Sequence, residues 1–266
     1  MKKQFVLFLT TLLIIVSFSC SNRKEESFKG DQDHLIMSVL WFQRSAEMRA
    51  LFIQGYNIAS ERLSEAAMAH TSGRPLAVVA DIDETILDNS PFEGWQIETG
   101  TLFSDATWKM WTDREEAMPL PGALEFALLA ESLGVEIFYV SNRTVDDALT
   151  TTINNLKSFG FPYADTNHVF LKTVSSAKTE RRNRVLETHE IVLLLGDNLA
   201  DLDDIFEKRG EDLGFAAVDS LADSFGKRFI MFPNPMYGSW ATPAMDSDKS
   251  LTMRERMVRG IISIME

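Results

Sequence analysis

Three acids fall within four positions, Asp81, Asp83 and Glu84, at the end of the apolar run "LAVVA". A second strand end, "GDNLADLDD", carries Asp197, Asn198, Asp201, Asp203 and Asp204, and a third carries Ser141, Asn142 and Arg143. A solitary Asp after a strand commonly caps a helix or closes an Asx turn. Two acidic ends from distant parts of one sheet repel each other unless a cation lies between them. Oxygen ligands with no His or Cys suit a hard cation, and Mg²⁺ takes few carboxylates together with water and phosphate oxygens.

Asp81 and Asp83 stand two positions apart, so on an extended backbone both carboxylates face one reacting centre. One can attack phosphorus, and the other can pass a proton to the departing oxygen and later take one from water. Such a transfer also needs donors and positive charge around the phosphoryl oxygens. Ser141, Asn142 and a lysine of "LKTVSSAKTERR" are available, and spacing alone leaves Lys172 and Lys178 as rivals. His34, His70, His168 and His189 show no ligand spacing and are expected at the surface or in the core. Asp203 and Asp204 are expected to cap the helix that follows, and Asp88 and Asp105 to serve turns.

The elements that must hold these residues alternate along the chain. Apolar strands are expected at 75–81, 134–142, 190–197 and 228–232, with helices at 122–133, 144–160 and 175–189. Apolar strands separated by helices imply an α/β fold with a mainly parallel sheet covered on both faces. In such a sheet, ligands bind outside the carboxyl ends of the strands, where the polar clusters fall. A helical pattern from Leu35 to about His70 precedes the first strand, with Gly55 as a candidate break. Residues 88–119 interrupt the rhythm and carry Phe92, Trp95, Phe103, Trp108 and Trp111. A satellite apolar cluster is the plain account of these aromatics. Their place directly after the acidic strand end also suits a lid or cap over a pocket.

The 266-residue chain has a net charge of -13, near -15 once Lys2 and Lys3 of the leader are removed. That balance excludes binding nucleic acid polymers through a broad basic surface. A small phosphorylated substrate remains open, because a metal ion can supply positive charge locally. Residues 1–19 read as a signal peptide, with a basic start and the apolar stretch "FVLFLTTLLIIVSFS". Cys20, the single cysteine, follows it and gives no internal disulfide framework. The boundary is similar to a lipobox, with Ser17 where Leu is usual, and implies lipidation at Cys20. Residues 20–33 then form a polar tether and 34–266 the folded domain.

"DIDETILDNSPFEGW", "VSNR", "SSAKTERR", "GDNLADL" and "FIMFPNPMYGSW", in this order, resemble the class C acid phosphatases. These are bacterial lipoprotein 5'-nucleotidases and phosphomonoesterases of the haloacid dehalogenase (HAD) superfamily. The resemblance covers nearly the whole mature chain and implies a HAD-like Rossmannoid parallel sheet flanked by helices. A small helical or irregular cap would come from the amino-terminal helices and the insert. It also implies Asp81 as nucleophile and Asp83 as general acid/base. Mg²⁺ would be held by Asp81, Asp197 and the backbone carbonyl of Asp83, with Asp201 supporting its water shell. Ser141 and Asn142 would bind the phosphoryl group, Lys178 would offset its charge, and Trp108 and Tyr237 would hold a base between them. The expected substrates are nucleoside monophosphates and related esters. The expected location is lipid-anchored in the cell envelope, at the outer membrane, with homodimers common in the family. A phosphotransferase using an alcohol acceptor and a non-catalytic nucleotide-binding lipoprotein are the competing readings.

Overall fold

A computed structural model describes residues 32–262. The leader, Cys20 and most of the tether lie outside the described residues. A single turn of 3₁₀ helix, Asp33–Leu35, leads into α1 (Ile36–Arg44) and then α2 (Ala46–Ala69). The break between these helices is at Ser45, not at Gly55. Ser45 is extended (ψ 140°), its N–H closes α1 on Trp41 O, and its Oγ accepts from Met48 N to cap α2. Gly55 lies inside α2 because a ring needs its space: a Cβ there would stand 2.6 Å from Phe232 Cε1. Phe232 fills the gap, its ring 5.1 Å from Phe52 and 4.5 Å from Tyr56.

The main sheet has five parallel strands, which run across it in the order Val169–Lys172, Glu136–Thr144, Leu76–Ala80, Glu190–Gly196 and Phe229–Met231. They are β1 (Leu76–Ala80), β4 (Glu136–Thr144), β5 (Val169–Lys172), β6 (Glu190–Gly196) and β7 (Phe229–Met231). Each expected strand is present within two residues at its ends. β5 had not been anticipated; at four residues its apolar run is too short to separate from a loop. Alternation along the strands builds two cores. Leu76, Val78 and Ala80 of β1 join one with Phe52, Tyr56 and Phe126 from the helices, while Ala77 and Val79 join the other with Val185 and Phe206. The helices that alternate with β4, β5 and β6 along the chain are α5 (Ala123–Ser132), α6 (Val145–Ser158) and α7 (Thr179–Leu186).

The insert is more regular than its sequence suggests. Two short strands, β2 (Leu87–Asp88) and β3 (Met118–Pro119), pair antiparallel and clasp its base. Between them stand α3 (Ser90–Thr99) and α4 (Asp105–Thr112). Pro91 near the start of α3 and the left-handed Gly100 after it mark its two ends. A capping box of Ser104 and Thr107 starts α4. Gln43 Nε2 of α1 donates to Ser90 O at 2.9 Å, which joins α1 to the insert, whereas α2 packs Phe52 and Tyr56 into the core with the sheet and flanks it. Among the described residues, no helix is long and apolar enough to cross a membrane.

Candidate active site

The site begins where the central strand stops. Beyond β1, the N–H of Asp81 still donates to Leu195 O of β6 at 2.9 Å, so the sheet ladder fixes it. Asp197 follows β6, and Asp201 sits in the short helix α8 (Leu199–Leu202). Carboxylate oxygens of Asp81, Asp197 and Asp201 lie within 4.8 Å of one another, and all three residues are buried. A Cβ on Gly196 would stand 2.4 Å from that of Asp201, so glycine lets α8 fold back onto the strand end.

Positive charge here is scarce. Lys178 Nζ contacts Asp81 Oδ1 and lies 2.6 Å from Asp201 Oδ1. Burial works to discharge that ammonium, but Asp201 and then Asp81 outweigh it and hold its pKa above the usual lysine value. One cation against three buried acids leaves the acids short. Burial chiefly, then Asp201 and Asp81, push Asp197 well above the carboxylate range; burial likewise raises Asp81 against the pull of Lys178. Three oxygen donors in need of more positive charge fit a hard divalent ion. Lys172, the sequence rival, ends β5 and does not line this cavity.

Asp83 takes different partners. Its carboxylate lies outside the triad and accepts from Ser141 Oγ at 2.8 Å, Arg143 Nε at 2.9 Å and Asn89 Nδ2 at 2.9 Å. Asp81 and Asp83 nevertheless both line one cavity of about 1120 Å³, with Ile82 between them buried in the core. The backbone bends next, at Glu84 (φ 58°), whose Oε1 accepts the N–H of Asn89 at 2.7 Å. Burial, with Asp83 and Asp197 nearby, pushes the Glu84 carboxyl well above its usual value. From α2, Tyr56 Oη donates to Thr85 O at 2.6 Å and holds the bend from behind.

The cavity gathers most of the residues singled out from sequence. Asp81, Asp83, Asn142, Lys178, Asp197, Asp201, Trp108 and Tyr237 all line it. Ser141 does not: its hydroxyl is buried between Asp83 and the N–H of Arg143. Asn142 Oδ1 accepts from Arg181 Nη2 at 2.7 Å. Asp203 accepts from Ile205 N and caps the following turn, whereas Asp204 instead pairs with Arg182.

Sequence reasoning placed Arg143 at a strand end without a role and passed over Asn89. The Arg143 guanidinium is buried, lies 2.8 Å from Asp83 Oδ1 and 5.8 Å from the Trp108 ring, and donates to Thr152 Oγ1. Its place in "VSNR", after an apolar strand, was a usable signal. Asn89 carried none. Its Oδ1 accepts from Trp111 Nε1 at 2.8 Å and Arg143 Nη2 at 3.3 Å, which ties the insert to Asp83.

Comparison with known proteins agrees with this geometry. The model of the HAD superfamily, subfamily IIIB (acid phosphatase), matches residues 27–240. The class C acid phosphatase of Bacillus anthracis is 37% identical with a TM-score of 0.82, covering 88% of this chain and 99% of that one. That structure has tungstate bound; another of the same protein gives 37% identity and a TM-score of 0.81, with the same coverage. Acid phosphatase 1 of Solanum lycopersicum is 26% identical over 197 residues, 69% of either chain. The chain therefore belongs to the subfamily IIIB acid phosphatases of the HAD superfamily and is a phosphomonoesterase.

Proposed function

We propose that this phosphatase hydrolyses nucleoside monophosphates and related esters with Mg²⁺, through a phosphoaspartate on Asp81. The observation that carries the reading is the division of labour between two carboxylates on one cavity wall. Asp81 lies against Lys178 within the triad, while Asp83 is held apart by Ser141, Arg143 and Asn89. An Asp81 oxygen bonds to phosphorus as the ester P–O bond breaks, and the departing oxygen takes a proton from Asp83. Asp83 then takes a proton from water as its oxygen bonds to phosphorus. The phosphoaspartate P–O bond breaks, which releases inorganic phosphate and restores Asp81. Lys178 holds positive charge beside the attacking oxygen. Asp81, Asp197 and Asp201, with the main-chain carbonyl of Asp83 as the resemblance implies, would hold the ion. When bound, a divalent cation supplies charge for the phosphoryl oxygens.

The base would stack on Trp108 and Tyr237, both on the cavity wall. A tungstate-bound relative supports a tetrahedral oxyanion as the group recognised. The test is phosphate release from a panel of esters by wild type and Asp81→Asn. Wild type is expected to turn over only with divalent metal, and the variant to lose at least about 10³-fold. Undiminished hydrolysis by Asp81→Asn would refute the assignment.

Export and lipid anchoring at Cys20, at the outer membrane, form a separate proposal that rests on the leader sequence. A Cys20→Ala chain should then leave the membrane fraction; if it stays there, the anchor is elsewhere. A homodimer is carried over from the family resemblance, and light scattering of the mature protein at a monomer's mass would dismiss it.

A further inference from the structure

One wall of the cavity carries an acid that the proposed chemistry does not use. Glu93 of α3 lines the cavity, is only 7% exposed, and has no ion pair with a cation among the described residues. Acids are almost never so buried unless paired. Its one hydrogen-bond partner among the described residues is Gln96, one turn further along α3 and also on the cavity wall. With the Gln96 amide oriented so that its oxygen accepts from Phe103 N at 2.7 Å, its nitrogen donates to Glu93 Oε2 at 2.9 Å. The remaining capacity of the carboxyl group has no partner among the described residues.

Aromatic faces surround this pair. Phe92, the neighbour of Glu93, meets Trp108 edge-on at 5.2 Å and Phe103 at 6.3 Å. Trp108 and Phe103 line the same cavity. An i,i+3 contact between Glu and Gln is ordinary on an exposed helix. Beside a cavity, the same pair keeps hydrogen-bonding capacity that water or a ligand can meet. Burial alone pushes the Glu93 carboxyl up to about 7. In acid it presents an O–H donor beside a carbonyl acceptor, the complement of an amide edge.

We propose that Glu93 and Gln96 recognise the leaving group, selecting planar groups with an adjacent donor and acceptor, such as the lactam edge of a nucleobase, packed against Trp108. This rests on the reading that esters dock beneath the insert. It deepens that reading by assigning to two residues the choice among leaving groups. Phosphoryl transfer itself stays with Asp81, Asp83 and their partners, so the two can fail separately.

The experiment compares inosine 5'-monophosphate, phenyl phosphate and choline phosphate as substrates of wild type, Glu93→Leu and Glu93→Gln. Glu93→Leu should lower kcat/KM for the inosine ester about tenfold or more, through KM, because a lost polar partner discriminates strongly. Phenyl phosphate, flat but without the edge, should change less than twofold, and Glu93→Gln, which keeps a donor and an acceptor, should recover most of the loss. Gln96→Leu serves in its place should Glu93→Leu not fold. Equal losses on all three esters, no loss on any, or a preference for choline phosphate would overturn the proposal. Calorimetric binding of inosine gives a readout free of catalysis. If no ester is hydrolysed, the phosphatase reading fails, yet inosine binding that Glu93→Leu weakens tenfold still supports this inference. Inosine bound equally well by both proteins, or by neither, removes it.

Discussion

The two ends of the central sheet treat acids in opposite ways. At the carboxyl end, Asp81, Asp197 and Asp201 crowd together around one lysine, and burial raises the pKa of the first two. At the amino end, Glu136 opens β4 and Oε2 lies 2.9 Å from His168 Nε2 and 3.3 Å from His189 Nε2. Asp165 Oδ1 takes the other nitrogen of His168 at 2.8 Å. Burial works to raise Glu136 and Asp165 too, but the His168 bonds outweigh it and leave both below their usual values. The amino end pairs its acids with histidines, whereas three acids at the carboxyl end share one lysine and could hold a metal ion. Acid residues alone do not distinguish the two; the count of partners does.

The contrast can be broken first at Arg143. Removing one member of a buried ion pair costs about 3–5 kcal/mol. Arg143→Ala should lose stability on that scale in chemical denaturation, and turnover should fall about 10²-fold as Asp83 loses its orientation. Unchanged stability would mean that Asp83 does not depend on that guanidinium. Next comes the metal. In excess Mg²⁺, at about 100 times Kd, binding to the native state adds about 2.7 kcal/mol. Wild type should show the corresponding rise in Tm and Asp197→Asn should not; equal shifts in both would place the ion elsewhere.

The smallest effect belongs to the amino end. A carboxylate whose folded pKa is lowered adds stability above its unfolded pKa, and that stability is lost as pH falls through the folded value. Glu136 is partly exposed, so solvent screening limits the term to roughly 0.5 kcal/mol. Glu136→Gln should therefore be slightly less stable than wild type at pH 6, and the difference should close as the pH drops below about 4. Its activity should match wild type. A variant that stays equally destabilised at pH 3 would show that packing, not charge, is at stake.

What could be read from the sequence follows the same physics. Buried parallel strands are continuous apolar runs, so four of the five strands and the acids at their tips were visible. β5 was hidden by its length, and α3 and α4 by a run of aromatics around a proline and a glycine. Gly55 looked like a helix break, yet its lack of a side chain serves the Phe232 ring. Lys178 and Lys172 are alike on paper, and only the fold buries one of them among acids. The hydroxyl of Ser141, expected on the phosphoryl group, donates to Asp83 Oδ2, a carboxylate 58 positions earlier that the sequence alone does not place beside it. Asn89 owes its importance to Asp83, Trp111 and Arg143, partners that no local pattern reveals, whereas Glu93 pairs with Gln96 on its own helix and only the fold shows that pair buried beside a cavity.

The clasp of Leu87–Asp88 against Met118–Pro119 makes the insert a cassette closed at its base by a two-residue ladder. Helices within it can be exchanged while the strands beneath keep their positions. Asn89 qualifies that freedom, because it sits just inside the clasp and joins Trp111 to Asp83. A lineage that retools its cap must preserve this one wire, or Asp83 loses one of the donors that hold its carboxylate in place.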